Sequence, residues 1–103
     1  MNFKAIILLY RRADATHEQF VQWWLGQHQP LARQLPKLRK GVFNVVESPA
    51  DGEPDGVSEL WFDSQADFEA AYASEIGQQV VADSMANVSS RVRMFVTENV
   101  IVG

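Results

Sequence analysis

The stretch THEQFVQWWLGQHQPLARQLPKL, Thr16 to Leu38, holds the chain's one long helical pattern together with that pattern's one local violation. Thr16 followed by Gln19 reads as a capping box, in which the Thr hydroxyl accepts an orphan N–H of the first turn and the Gln side chain reaches back. From that start Phe20, Trp24, Leu31 and Leu35 fall within a narrow arc, the stripe of a helix packed on a core. His28 lies in the same stripe, so its imidazole is expected to face the interior. Two residues on, Pro30 has no N–H to give and its ring crowds the carbonyl of Gly26, which predicts a kink or break between Gly26 and Pro30. A titratable ring and a loosened backbone thus meet on an apolar face, the kind of local conflict that functional sites carry. The helix is expected to end near Pro36 to Leu38.

Before this helix, FKAIILLY (residues 3–10) is rich in branched aliphatics and too short for a packed helix; it reads as a strand with apolar residues on both faces. After it, Gly41 opens a second strand, Val42 to Glu47, interrupted by a single polar residue, Asn44. SPADGEPDG (residues 48–56), dense in Pro, Gly and acids, reads as a solvated connection to a third strand, Val57 to Phe62. That strand sets Glu59 beside Trp61 on one face, with Leu60 and Phe62 on the other. Ser64 and Asp67 make an acidic capping box for a second helix, in which Phe68, Ala71 and Tyr72 keep helical spacing to about Ser74. Gly77 is expected to interrupt it, and a further turn or two in Gln78 to Asn87 to turn Val81 and Met85 inward. In RVRMFVT, Val92, Met94 and Val96 alternate with Arg93, Phe95 and Thr97 as a fourth strand.

The order βαββαβ predicts an α+β, ferredoxin-like fold over residues 1–103 as a single domain: a four-stranded antiparallel sheet with its helices on one face, because the crossovers are right-handed. Every strand nevertheless offers apolar residues to both faces. The uncovered face would leave a hydrophobic patch in water, so a partner is expected, most simply a second copy that faces its sheet across a two-fold axis as a dimeric α/β barrel.

A composition with 47% hydrophobic and 21% charged residues is that of an ordinary globular chain. The net charge of −4 argues against a nucleic-acid partner. The local cluster of Arg33, Lys37, Arg39 and Lys40 reads as a solvated helix end that complements the dipole, rather than as a phosphate-binding patch. With no cysteine, disulfides, thiolate catalysis and Cys-ligated metals are excluded. Ala5 to Leu9 is too short an apolar run for a signal peptide and no stretch is long enough to span a membrane, so a cytoplasmic protein is expected.

His28 is the first candidate for chemistry: either a core histidine whose ring nitrogens meet backbone groups, or a general acid or base near neutral pH. Glu59 is the second, since a carboxylate in an otherwise apolar strand sits either at a solvated rim or in a site. Tyr10, Trp24, Asn44 and Trp61 either line a pocket or belong to plain core. His17 reads as a first-turn surface residue. There is no Gly-rich phosphate loop, nucleophile elbow or metal-ligand spacing, and nothing demands a cofactor.

The segments AIILLYRRADATHEQFVQWWLGQHQPLARQLPKL, GVSELWFDS, IGQQVVADS and FVTENVIV together resemble the EthD family of the dimeric α/β-barrel superfamily. The most specific pieces are WWLGQHQPL, with His28 and Pro30, and ELWF, with Glu59. The resemblance implies a homodimer of ferredoxin-like protomers, each with a ligand cavity between sheet and helices, and matches His28 and Glu59 to the family's helix histidine and strand acid. It also implies a spread of activities: a protein of ethyl tert-butyl ether degradation, muconolactone isomerases, polyketide cyclases or dehydratases, and cofactor-free monooxygenases. The expectation is a cofactor-independent lyase or isomerase acting on a small hydrophobic metabolite, with His28 moving a proton next to a carbonyl and Glu59 or Tyr10 orienting the ring or the substrate. A non-catalytic carrier of a hydrophobic ligand is the alternative, and a cofactor-free or haem-dependent monooxygenase a further one.

Overall fold

Alternation along the first strand decides where everything else lies. A computed structural model describes residues 2–103. In β1 (Phe3–Arg11), Ala5, Ile7 and Leu9 are buried while Ile6, Leu8 and Tyr10 are half-exposed on the opposite face. There follow α1 (His17–Trp23), a π-helical turn (Trp24–His28), α2 (Gln29–Ala32), β2 (Lys40–Val45), β3 (Gly56–Phe62), α3 (Gln65–Ala73), α4 (Glu75–Asn87) and β4 (Val88–Val96). The strands run β2-β3-β1-β4, antiparallel throughout, which is the expected ferredoxin-like α+β order. Register fixes the faces. Ala5 lies opposite Leu60 and Ile7 opposite Ser58 on the helix-covered side; Ile6 lies between Glu59 and Met94, and Leu8 between Val57 and Val92, on the other. No layer covers that second side, and the molecule measures 38 × 37 × 19 Å, the thickness of one sheet and one layer of helices.

The capping box at Thr16 forms in both directions, with Gln19 N–H donating to Thr16 Oγ1 (3.1 Å) and Thr16 N–H to Gln19 Oε1 (2.9 Å). The expected disturbance before Pro30 is the π turn, in which Gln29 N–H reaches back to the Trp24 carbonyl. Widening the turn relieves the proline's clash with the preceding carbonyl, and Pro30 then falls in the first turn of α2, where its missing N–H is no loss. The helix stops at Ala32, a turn short of the expected Pro36 to Leu38. Residues preceding a proline disfavour the helical conformation, and Lys37 beyond Pro36 takes a left-handed φ of 64°.

The second crossover differs in phase from expectation. It breaks at Ser74, not at Gly77: Ser74 is extended (ψ 163°) and its Oγ caps α4 by accepting from Gly77 N–H at 3.1 Å. Gly77 sits inside the first turn, where a Cβ would strike the Ala71 carbonyl and the Tyr72 backbone. Val80 and Ser84 are the buried residues of α4, while Met85 is 66% exposed. The inward face is thus rotated by one residue from Val81 and Met85.

Trp24 anchors the core. It is fully buried, stacks on Phe43 with centroids 4.3 Å apart and planes 4° from parallel, and lies so close to β3 that a Cβ on Gly56 would be 2.6 Å from its ring.

Candidate functional site

His28 closes the π turn and points inward, 4% exposed. Its Nδ1 lies 2.8 Å from Asp83 Oδ2 and its Nε2 3.3 Å from Ser84 Oγ, both on α4. A carboxylate only accepts, so Nδ1 carries the proton and Nε2 holds the lone pair, which the Ser84 hydroxyl meets as donor. Asp83 is itself fixed: Gln27 Nε2 donates to Oδ1 at 2.9 Å and Asn87 Nδ2 at 3.4 Å, while the same Asn87 amide donates to the Asp83 carbonyl at 2.8 Å. Trp23 and Phe43 flank the imidazole, with centroids 4.9 and 6.1 Å away.

Burial pushes the His28 pKa down. The hydrogen bond and negative charge of Asp83 oppose this, Arg91 adds to it, and the net value lies below the ordinary histidine value. The ring is therefore neutral at neutral pH, with a free base at Nε2. That nitrogen borders a cavity of about 20 Å³, room for one water, which Tyr72, Arg91 and Ser58 also line. Burial raises the Tyr72 pKa, so its phenol keeps its proton. A base, a phenol and a guanidinium around one space can take a proton from a carbon and stabilise the oxyanion that results.

A larger cleft lies on the far side of Phe43. It measures about 540 Å³ and runs between the helices and the edge strand β2, past Leu25, Ala32, Leu38, Phe43 and Leu60, with Arg33 and Arg39 among its lining residues. Ala32, Phe43 and Leu60 border both spaces.

The other expected site residues are not gathered here. Trp24 shares the helix side but is core, and among the described residues its indole N–H, like that of Trp23, is buried without an acceptor. Glu59, Asn44, Trp61 and Tyr10 lie on the open face, so the sheet separates them from His28. Glu59 pairs with Lys4 Nζ (2.8 Å) and accepts from Asn44 Nδ2 (3.0 Å); the Lys4 and Asn44 contacts hold its pKa down. Trp61 Nε1 donates to Glu98 at 2.7 Å, with Lys4 and Lys40 over its ring.

His17 is no bare surface residue. Its Nδ1 lies 2.8 Å from Asp55 Oδ1, a buried carboxylate that also accepts from Arg11 N–H and from the Arg11 guanidinium, both at 2.9 Å. Among the described residues no group of three or more His, Cys, Asp or Glu is placed to hold a metal, and no helix is long and apolar enough to cross a membrane. Sequence reasoning missed Asp83, Ser84, Tyr72 and Arg91. The available signal was a carboxylate beside the helix stripe that begins at Gly77 and Val80.

Comparison with known proteins places these features in a family. The profile described as the EthD domain matches residues 12–90. An uncharacterized 11.0 kDa protein in the thcB–thcC intergenic region of Rhodococcus erythropolis is 30% identical over 82 residues, 77% of this chain and 79% of that one. The crystal structure of an ethyl tert-butyl ether family (EthD) protein from Bacillus halodurans superposes with a TM-score of 0.77 at 21% identity, covering 94% of this chain and 99% of that one. A dimeric ferredoxin-like protein of unknown function from Thermobifida fusca gives the same TM-score of 0.77 at 18% identity, covering 95% and 92%.

Proposed function

Because this chain belongs to the EthD family, its domain profile spanning residues 12–90, we propose that it is a cofactor-independent proton-transfer enzyme of lyase or isomerase type, acting on a small hydrophobic carbonyl compound. One observation carries this reading: a neutral, buried imidazole is held by Asp83 through Nδ1 and turns its basic Nε2 toward a cavity lined by Tyr72 and Arg91. His28 removes a proton from the carbon next to the carbonyl. Tyr72 and Arg91 stabilise the enolate oxygen, and the histidine returns the proton at a second position or to a leaving hydroxyl. Ser84 occupies Nε2 until the substrate displaces it.

Glu59 takes no part in this transfer, because the sheet stands between it and the ring. We assign it, with Asn44, Tyr10 and Trp61, to the open face, and propose that this face packs on a second copy. The uncovered Ile6, Leu8, Val57, Val92 and Met94 support the dimer, as does the description of the T. fusca neighbour as dimeric.

The test is deuterium exchange at activated C–H positions of a pool of lactones, aryl ketones and polyketide-like diketones, followed by NMR. His28→Gln should abolish exchange while leaving the circular dichroism spectrum intact; retained exchange would remove His28 from the role. A second reading, a carrier that binds without turnover, is favoured by the contrast between the 20 Å³ at Nε2 and the 540 Å³ of the cleft. It predicts tight binding of pool members without exchange in the parent protein.

A further inference from the structure

Four of the chain's nine Lys and Arg residues, Arg33, Lys37, Arg39 and Lys40, crowd into eight positions of an otherwise acidic protein, and the function proposed above gives them nothing to do. Two of the four are neutralised. Lys37 lies 3.3 Å from Asp67, and Arg39 lies 2.7 Å from Asp63. Lys40 stands over Trp61. Arg33 is different: among the described residues its guanidinium has no acidic partner, and it lines the 540 Å³ cleft.

No Asp or Glu lines that cleft, and its remaining wall is largely apolar, with Leu25, Leu38, Phe43 and Leu60. The π turn contributes to this wall. The residue it adds to the helical turn leaves Leu25 at the cleft, 44% exposed, while Trp24 and His28 face inward. A cleft of this size holds a small organic molecule, and an unpaired guanidinium beside an apolar wall selects a negative charge on an otherwise apolar body.

We propose that the cleft binds an amphipathic organic carboxylate, its carboxylate on the Arg33 guanidinium and its apolar body along Leu25, Leu38 and Phe43. This rests on the proposed function for what happens next. The single Phe43 ring, 6.1 Å from the His28 ring centre to centre, separates the bound molecule from the base, so rotation of that ring joins the two spaces. The substrate class is then an aromatic or alicyclic acid whose acidic carbon lies at the end remote from the carboxylate.

The binding claim is tested apart from catalysis with naphthalene-2-carboxylate and its neutral isostere naphthalene-2-carboxamide, titrated into the full-length protein by calorimetry and by tryptophan fluorescence, since Trp24 stacks on the Phe43 wall. The carboxylate should bind about ten- to a hundredfold more tightly than the amide, the difference expected of a hydrogen bond to a charged partner. Arg33→Gln should bring the carboxylate down to the affinity of the amide and leave the amide unchanged, which also shows that the variant is folded. His28→Gln should bind both as the parent does. Equal affinity for the two compounds, no binding of either, or an Arg33→Gln variant that still prefers the carboxylate would overturn the assignment. Loss of exchange chemistry with binding intact would bear on the proposed reaction only.

Discussion

Replacing Asp83 by Asn removes one charge and almost no volume, yet the hydrogen bonds around it leave the new amide no good orientation. Oδ1 accepts from Gln27 and Asn87, and the Asn87 amide is fixed because it also donates to the Asp83 carbonyl. The Asn carbonyl is therefore drawn to that side, and its NH2 turns toward His28 Nδ1. Two donors cannot face each other at 2.8 Å, so the imidazole proton must move to Nε2, where Ser84 can accept it. The loss of a charge-assisted hydrogen bond at a mostly buried pair costs about 1.5–3 kcal/mol, which moves a urea midpoint by about 1–2 M at a typical slope. The charge that held the His28 pKa up also disappears, leaving burial and Arg91 to push it further down. Nitrogen-detected NMR of the labelled imidazoles reads tautomer and titration together. The parent should show the Nδ1–H form, and Asp83→Asn the Nε2–H form with a lower pKa and no exchange activity. A parent ring protonated at Nε2, or a variant whose pKa rises, would refute the reasoning.

Since the folded His28 pKa lies below the unfolded value, the unfolded chain takes up the proton first on acidification; its contribution is complete above about pH 6.5 and is lost as pH falls through the folded pKa. Urea midpoints should therefore decline below about pH 6.5, and His28→Gln should flatten that part of the profile. For Asp55, burial raises the pKa but the Arg11 and His17 hydrogen bonds outweigh it, so its contribution is present above the ordinary carboxylate value and lost below. Asp55→Ala should cost about 3 kcal/mol, the lower end for breaking a buried pair because Arg11 can return to water, as measured by denaturation at pH 7. Gly56→Ala drives a methyl into the Trp24 ring, and overpacking of about 1–3 kcal/mol should lower the melting temperature by several degrees per kcal/mol. Ile6→Glu places a second carboxylate beside Glu59 on the open face and should turn a dimer into a monomer in sedimentation; an unchanged mass would move the interface elsewhere.

Strong local signals made the fold legible. Branched runs with apolar residues on both faces gave four strands, the pattern at Thr16 gave the first helix, and Pro30 located its irregularity. The same strength put His28 on the inward face. The other half of the site was hidden for a physical reason. VVADSMANVSS offers little contrast between apolar and polar positions, so a one-residue rotation of α4 is nearly neutral in pattern. The phase is set by contacts unseen in sequence, Ser74 capping Gly77 and the close approach of Gly77 to Ala71. Asp83 and Ser84 turn inward only in that phase. Glu59 shows a different limit: alternation pairs it with Trp61, but which face the helices cover comes from pairing across the sheet.

The most direct measurement is a crystal structure of the protein soaked with aromatic acids, lactones and diketones. The account predicts density that enters through the cleft, with Phe43 displaced and an acidic carbon within reach of His28 Nε2. A ligand seated only on the open face beside Glu59, with His28 still bonded to Ser84 and Asp83 behind an unmoved Phe43, would contradict it.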